Sequence, residues 1–373
     1  MKRILFIITG LVDGGAEKAL LNLLSYIDKT KYKVDVLVVF ADKIGKEQPS
    51  GISFHTLFDS HRNFVYKLAK HLYLKFHIPH LLRYITNNRL PLWYDVIVSF
   101  LEGDSLLYHS FLFDRAKKNV SWIHTDFVEN HWSQRHFVNQ DEMNAYKSLD
   151  VLVFVSQAVY QKFMLFYQHL NVERVYICPN IINVNEIISK SQEPICDVLR
   201  RKFTICSVGR IEEVKGYDLL IDAAVILRKR NVDVDFWVIG KGSKEQQLHQ
   251  YVLDKNIDDM VKFLGYQSNP YPYMKIADVL LSTSRAEGLP LFLSEAICLE
   301  KPIIATKTVG AEEVLQNGKY GRLVDITPIA IADAIQQFIS NPQICSYYQN
   351  ASIEGNQQYN PYVLMKKIND IFS

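Results

Sequence analysis

An α/β fold made of two doubly wound parallel sheets is predicted by three observations. Short apolar runs alternate with helical patterns along almost the whole chain, a polar stretch near the middle separates two sets of such runs, and 373 residues exceed what one hydrophobic core usually holds. In the first half the runs Arg3 to Thr9, Val34 to Phe40, Val96 to Phe100, Val120 to Ile123 and Val151 to Val155 read as buried strands. A continuous apolar run, as opposed to an alternating one, marks a strand covered on both faces, which is the condition of a parallel sheet. After Pro179-Asn180 the chain turns polar through Asn183, Asn185 and Gln192-Glu193-Pro194, and a new set of strands begins at Phe203 to Val208. It continues near Asp235 to Ile239, Val261 to Leu264, Val279 to Ser282, Ile303 to Thr306 and Arg322 to Val324. The boundary therefore falls between about residues 180 and 200, giving domains 1–185 and 200–355 with a C-terminal helix over 356–373. Doubly wound sheets bind ligands at their carboxyl edges, so two of them predict a site in a cleft.

Composition removes several function classes. A net charge of +2 gives no general argument for nucleic acid. The five cysteines, Cys178, Cys196, Cys206, Cys298 and Cys345, are scattered and lack Cys-x2-Cys spacing, which predicts reduced structural thiols and a cytoplasmic protein. The opening Met1-Lys-Arg-Ile-Leu-Phe-Ile-Ile has a short apolar run with no small-residue cleavage site after it, and is expected to be a buried first strand and not a signal peptide. No segment approaches the roughly 20 apolar residues of a membrane span.

The segment Glu287-Gly288-Leu289-Pro290-Leu291-Phe-Leu-Ser-Glu295 carries the most chemistry. It follows the apolar run Ala277 to Ser282, and Pro290 is expected at the first helical position, where a missing N–H costs nothing. The amides of Leu289, Leu291 and Phe292 then lack intrahelical partners and stand at the positive end of the helix dipole, a setting suited to a diphosphate. Glu287 in the loop can bond hydroxyls on one side of the phosphates, and Glu295, about a turn and a half into the helix, can reach a ribose on the other. Arg210 and Lys215 flank the loop after Phe203 to Val208, where two cations can neutralise a departing diphosphate. Near the start, Gly14 and Gly15 let the backbone approach a ligand closely, although the spacing is neither Gly-x-Gly-x-x-Gly nor a P-loop. Asp233-Val-Asp235 has the spacing of a metal-binding pair but sits at the entry to a strand, at the wrong edge of the sheet, so no metal site is expected.

The ordered set Gly14-Gly15-Ala16-Glu17, Trp122-Ile123-His124, Val208-Gly209-Arg210 with Lys215-Gly216, Gly265-Tyr266, Glu287-Gly-Leu-Pro with Glu295-Ala296, Lys301-Pro302 and Gly310-Ala311-Glu312-Glu313 resembles the retaining family 4 glycosyltransferases of the GT-B fold, of the bacterial surface-polysaccharide type. The resemblance spans nearly the whole chain. It implies two Rossmann-like domains, the second holding a nucleotide-sugar, with the final helix crossing back onto the first. It further implies that Arg210 and Lys215 bind the donor diphosphate, that Glu287 holds the sugar hydroxyls and Glu295 the ribose, and that Gly15 and the amides near Leu289 approach the phosphates. Tyr266 and Gln267 would lie beside the base, and His124 would face sugar and acceptor.

The expected function is metal-independent, cofactor-free transfer of a hexose or N-acetylhexosamine from a UDP-sugar to a glycan acceptor, with retention. A GT-B epimerase, a phosphorylase-like enzyme and a non-catalytic glycan-binding protein are the alternatives. One further segment bears on the acceptor: from His61 to Tyr94 there is no Asp or Glu, while Arg62, Lys67, Lys70, Lys75, Arg83 and Arg89 alternate with Phe64, Leu68, Leu72, Phe76 and Trp93. This pattern suits an anionic membrane surface and hence a lipid-linked acceptor in surface polysaccharide or lipopolysaccharide biosynthesis, with the protein peripheral on the inner face of the plasma membrane. A solvated basic helix fits the same residues.

Overall fold

The computed structural model describes residues 1–373 except 13, 46–48, 91–92, 129–130, 169, 171–173 and 196–201, so Asp13 and Cys196 lie outside the described residues. The chain divides into two units, Met1–Ile181 with Pro361–Ser373, and Ile182–Asn360.

The first unit is built on β1 (Lys2–Ile8), β2 (Tyr32–Phe40), β3 (Ser53–Phe58), β4 (Tyr94–Ser99), β5 (Ala116–Ile123), β6 (Val151–Phe154) and β7 (Arg174–Ile177). They form one sheet in the order β3-β2-β1-β4-β5-β6-β7, and all the pairings are parallel. Phe6 of β1 pairs with Val36 on one side and Val98 on the other, and Ile4 to Ile8 are fully buried. The strand order reverses between β1 and β4, which opens a crevice at their carboxyl ends. The helix Pro361–Phe372 packs on this unit through Met365, Ile368, Ile371 and Phe372, the spacing of one helical face. The Phe372 ring meets Phe6 edge-on, and Lys2 Nζ donates to the carbonyls of Phe372 and Ser373 at 3.1 and 2.9 Å, a cation where the helix dipole is negative.

The second unit holds β8 (Phe203–Val208), β9 (Val234–Ile239), β10 (Val261–Phe263), β11 (Val279–Ser282), β12 (Ile303–Thr306) and β13 (Arg322–Val324), again all parallel, in the order β10-β9-β8-β11-β12-β13. Alternate residues serve opposite faces. Ile205, Phe236, Val279 and Ile304 pack beneath helices Tyr217–Lys229 and Pro328–Ser340, and Cys206, Trp237, Leu280 and Ile303 pack beneath helix Leu291–Cys298. Here the order reverses between β8 and β11, so the loops carrying Arg210, Lys215 and Glu287 leave the sheet side by side.

Two expectations need correction. Pro290 is not the first helical residue: it caps the helix in an extended conformation, ψ 104°, and the helix begins at Leu291. Nor does Lys70 belong to a surface patch. It sits on the inner face of helix Phe64–Phe76, where its ammonium lies 2.6 Å from the Asp104 carboxylate and burial pulls its pKa below the ordinary value. Against the burial that raises it, Lys70 and His136 draw the Asp104 carboxyl down to about 2. Other residues of the acid-free segment do reach the surface: Arg62, Phe64, Lys67, Leu68, Lys75, Phe76, Arg83, Tyr84, Arg89 and Trp93 are exposed. No described helix is long and apolar enough to cross a membrane. The described cysteines are free, and burial pushes the Cys178 thiol up to about 12 and the Cys345 thiol up to about 11.

Candidate functional site

Close backbone approach shapes the carboxyl edge of the second sheet. After β8 the chain passes through Gly209 and the exposed Arg210 to a single turn, Glu213–Lys215, and then to Gly216 at φ +64°. A Cβ at Gly216 would stand 2.1 Å from the Thr283 carbonyl oxygen, so only glycine allows the loop after β8 to touch the loop after β11. Thr283 Oγ1 returns a hydrogen bond to the Lys215 carbonyl at 3.0 Å.

Across this contact Lys215 Nζ donates to Glu287 Oε1, which also accepts from Ser284 Oγ at 2.8 Å. Both members of the ion pair are only partly covered, at 23% and 16% side-chain exposure, so a ligand can still reach them. Gly310 holds the following Gly288-Leu289-Pro290 turn in place: its N–H donates to the Glu287 carbonyl at 3.1 Å, and a Cβ there would lie 2.7 Å from the carbonyl oxygens of Glu287 and Gly288. The amides of Leu289, Leu291 and Phe292 have no hydrogen-bond partner among the described residues. The positive end of one helix, with its open amides, and a lysine thus converge beside a carboxylate, an arrangement suited to a phosphorylated polyol.

The remaining second-unit residues from the sequence occupy separate places. Glu295 is buried on the inner side of its helix, where Oε1 accepts from Tyr271 OH at 3.1 Å; burial and this carboxylate push the Tyr271 phenol far above its ordinary pKa. Tyr266 and Gln267 follow β10. Tyr266 is half-exposed with Lys241 Nζ 5.8 Å from its ring centroid, and Gln267 Nε2 donates to the Leu264 carbonyl at 3.0 Å. The Gly240 N–H donates to the Gly265 carbonyl at 2.8 Å and ties this loop to the one after β9. Asp233 and Asp235 lie at the amino end of β9, the opposite edge, where Lys202 and Lys262 stand 2.8 and 3.8 Å from them.

In the first unit Gly14 caps helix Gly15–Tyr26, with the Glu17 side chain folded back against it. His124 follows β5. Burial lowers its pKa to about 3, opposed by a hydrogen bond to the Phe100 backbone, so the imidazole is neutral at physiological pH. Its Nε2 is shielded and has no hydrogen-bond partner among the described residues. Sequence reasoning missed Glu102, after β4. This fully buried carboxyl accepts the N–H groups of His124 and Thr125 on Oε1 at 2.7 and 2.8 Å, and Oε2 has no partner among the described residues. Burial raises its pKa, with those hydrogen bonds acting the other way. Neither Glu102 nor Ser284 stands in a recognisable motif; only the fold brings Glu102 to His124, while Ser284 is three residues from Glu287 in the same loop.

Residues 13–186 match the family Glycosyltransferase Family 4, and residues 197–355 match Glycosyl transferases group 1. A lipopolysaccharide core biosynthesis glycosyltransferase of Rhizobium meliloti is 29% identical over 138 residues, 37% of this chain and 39% of the relative. The N-acetylgalactosamine-N,N'-diacetylbacillosaminyl-diphospho-undecaprenol 4-alpha-N-acetylgalactosaminyltransferase of Campylobacter jejuni is 30% identical over 148 residues, 39% of each chain. This chain thus spans about two fifths of the length of these curated relatives. Among solved structures, Anabaena HepE in complex with UDP-glucose matches with a TM-score of 0.76 and 19% identity, covering 99% of both chains. With successive halves of the sequence matched by glycosyltransferase families and both parallel sheets found in such a structure, the chain belongs to the family 4 glycosyltransferases of the GT-B fold.

Proposed function

We propose that this protein transfers a hexose or N-acetylhexosamine from a UDP-sugar to a glycan acceptor, with retention and without a metal ion. The observation that carries the proposal is the Lys215–Glu287 contact at the point where the second sheet's strand order reverses, beside the open amides of Leu289, Leu291 and Phe292. Lys215, Arg210 and those amides meet the charge that builds as the diphosphate leaves, and so take the part a cation plays in other transferases. Glu287 holds the sugar hydroxyls as positive charge develops on the ring, Glu295 reaches the ribose, and Gly14, Gly15 and Gly288 allow close approach of backbone to donor. Pro290 presets the turn into the helix, while Tyr266 and Gln267 border the base. His124 acts on sugar and acceptor as a neutral imidazole. The lone pair on Nε2 accepts a hydroxyl proton in a hydrogen bond, and Glu102 fixes the backbone that presents it. Retention then follows a front-face course in which the departing diphosphate, not a protein base, takes the acceptor proton.

The UDP-glucose bound by Anabaena HepE supports the donor class, and the diphospho-undecaprenol named for the Campylobacter jejuni relative supports a lipid-linked acceptor. The lipopolysaccharide role of the Rhizobium meliloti relative supports surface glycan synthesis. Exposed Phe64, Leu68, Phe76 and Trp93 among Arg62, Lys67, Lys75 and Arg89 support a peripheral place at the cytoplasmic face of the plasma membrane. A thermal-shift panel of nucleotide-sugars tests the donor class. UDP-sugars should raise the melting temperature of wild type but not of Lys215→Ala, and no response to any of them contradicts the proposal.

A further inference from the structure

The contact between Lys215 and Glu287 joins residues 72 positions apart on two different loops, so something must hold those loops in register. Arg285 occupies that position. Its backbone N–H donates to the Val214 carbonyl at 2.7 Å, and Nη1 donates to the Glu213 carbonyl at 2.8 Å. The same guanidinium meets both oxygens of Asp218, with Nη1 at 2.8 Å from Oδ1 and Nη2 at 2.5 Å from Oδ2. Arg285 therefore grips the first loop on both sides of Lys215, at residues 213 and 214 before it and at residue 218 after it, from a position two residues ahead of Glu287.

We propose that Arg285 and Asp218 form a clamp that sets the spacing of Lys215 and Glu287 for the donor sugar, and so act as positioning residues for transfer; this rests on the donor-site reading above. The planar fork on two carboxylate oxygens fixes direction as well as distance, which a single-point contact cannot do. Asp218 lies in the first turn of helix Tyr217–Lys229, so the clamp ties Glu287 to a rigid element and not to another loop. Mutual hydrogen bonding holds the Asp218 carboxyl below, and the Arg285 guanidinium above, their ordinary pKa values, so the pair stays charged across the working range. Both side chains are more than a third exposed, at 36% and 42%, and an ion pair so placed adds little to global stability. Its effect is expected in geometry, where a misplacement of about 1 Å between reacting groups can cost on the order of a hundredfold in rate.

The two functions of the site separate in the test. UDP alone needs the cations and amides, whereas sugar transfer also needs Glu287 at its set distance. For Arg285→Ala, Asp218→Asn, the double variant and Arg285→Lys, the measurements are UDP affinity by calorimetry, melting temperature, and kcat for UDP release from whichever UDP-sugar of the panel binds wild type most tightly. The clamp predicts that each single variant keeps UDP affinity within about threefold and its melting temperature close to wild type, while kcat falls at least about tenfold. It also predicts a double variant no slower than the singles, because both remove one interaction, and only partial recovery in Arg285→Lys. A kcat within twofold of wild type in Arg285→Ala overturns the clamp, as does a double variant whose losses multiply. Wild type that binds no UDP or UDP-sugar overturns the donor-site reading, and the clamp falls with it.

Discussion

At the scale of single residues the proposed site divides between groups expected to act by charge and one expected to act by staying neutral. Lys215 and Glu287 are each expected to meet the donor directly, so Lys215→Ala and Glu287→Ala should each lower kcat/KM by about a hundredfold or more while circular dichroism and melting stay close to wild type. Near-normal turnover in either folded variant would remove the proposed site. His124, whose pKa burial lowers to about 3, carries no charge above mildly acidic pH, so the contribution proposed for it is a hydrogen bond and not a cation. His124→Ala should therefore lower kcat with little change in UDP affinity; an unchanged kcat would leave the residue a structural one. These residues were legible because each stands in a short run with its own chemistry, such as Glu287-Gly-Leu-Pro. Lys70 was misread as surface for the opposite reason: its partner Asp104 lies 34 positions away, and nothing local marks a lysine that the fold buries.

At the scale of elements, the central strands and the edge strands of the second sheet, β10 and β13, were legible, and the edge strands of the first sheet were not. Arg3 to Thr9 and Phe203 to Val208 announce themselves because a strand covered on both faces must be apolar throughout. β3 and β7 escaped notice because they close the two edges of the first sheet, where exposed positions in Ser53–Phe58 and Arg174–Ile177 break up the apolar run. The acid-free segment around helices Phe64–Phe76 and His80–Asn88 carries a prediction of its own. With Lys70 turned inward, the charges facing solvent include Arg62, Lys67, Lys75 and Arg89, so a variant with Lys67, Lys75 and Arg89 changed to Glu should lose co-sedimentation with anionic liposomes at low salt and still fold. Equal binding to neutral liposomes, or no loss in the variant, would make the face merely solvated.

The elements around β4 and β5 also predict how stability responds to acid. His109 is fully buried between Ser99 Oγ and Asn119 Oδ1, each 3.1 Å away, and burial lowers its pKa to about 3 despite the bond to Asn119. The unfolded chain takes up that proton near 6.5 and the folded chain does not. The stability contributed by a neutral His109 is thus full above about pH 6.5 and is lost as pH falls below it, by up to about 2 kcal/mol at pH 5. His124 acts in the same sense and the raised Glu102 in the opposite one, so the comparison that isolates His109 is wild type against His109→Gln. The fall in urea midpoint from pH 7.5 to pH 5 should be smaller in the variant; parallel curves would contradict the assignment.

At the scale of the whole molecule, two parallel sheets each reverse strand order once, and the residues named for the site leave the sheets at carboxyl ends near those reversals or in neighbouring loops. That placement follows from the alternation of apolar runs and helical patterns, which is why the fold could be read from sequence. The finer ties, such as Glu102 to His124 and Arg285 to Asp218, could not be, since each is made by loops that only the finished sheet brings together. The most direct test of retaining, metal-independent transfer from a UDP-sugar is an NMR measurement of the glycosidic product formed from the best-binding UDP-sugar in excess EDTA. An α-configured UDP-sugar should give an α-linked product at an undiminished rate; a β-linked product, or activity that vanishes with the chelator and returns with Mg or Mn, would contradict it.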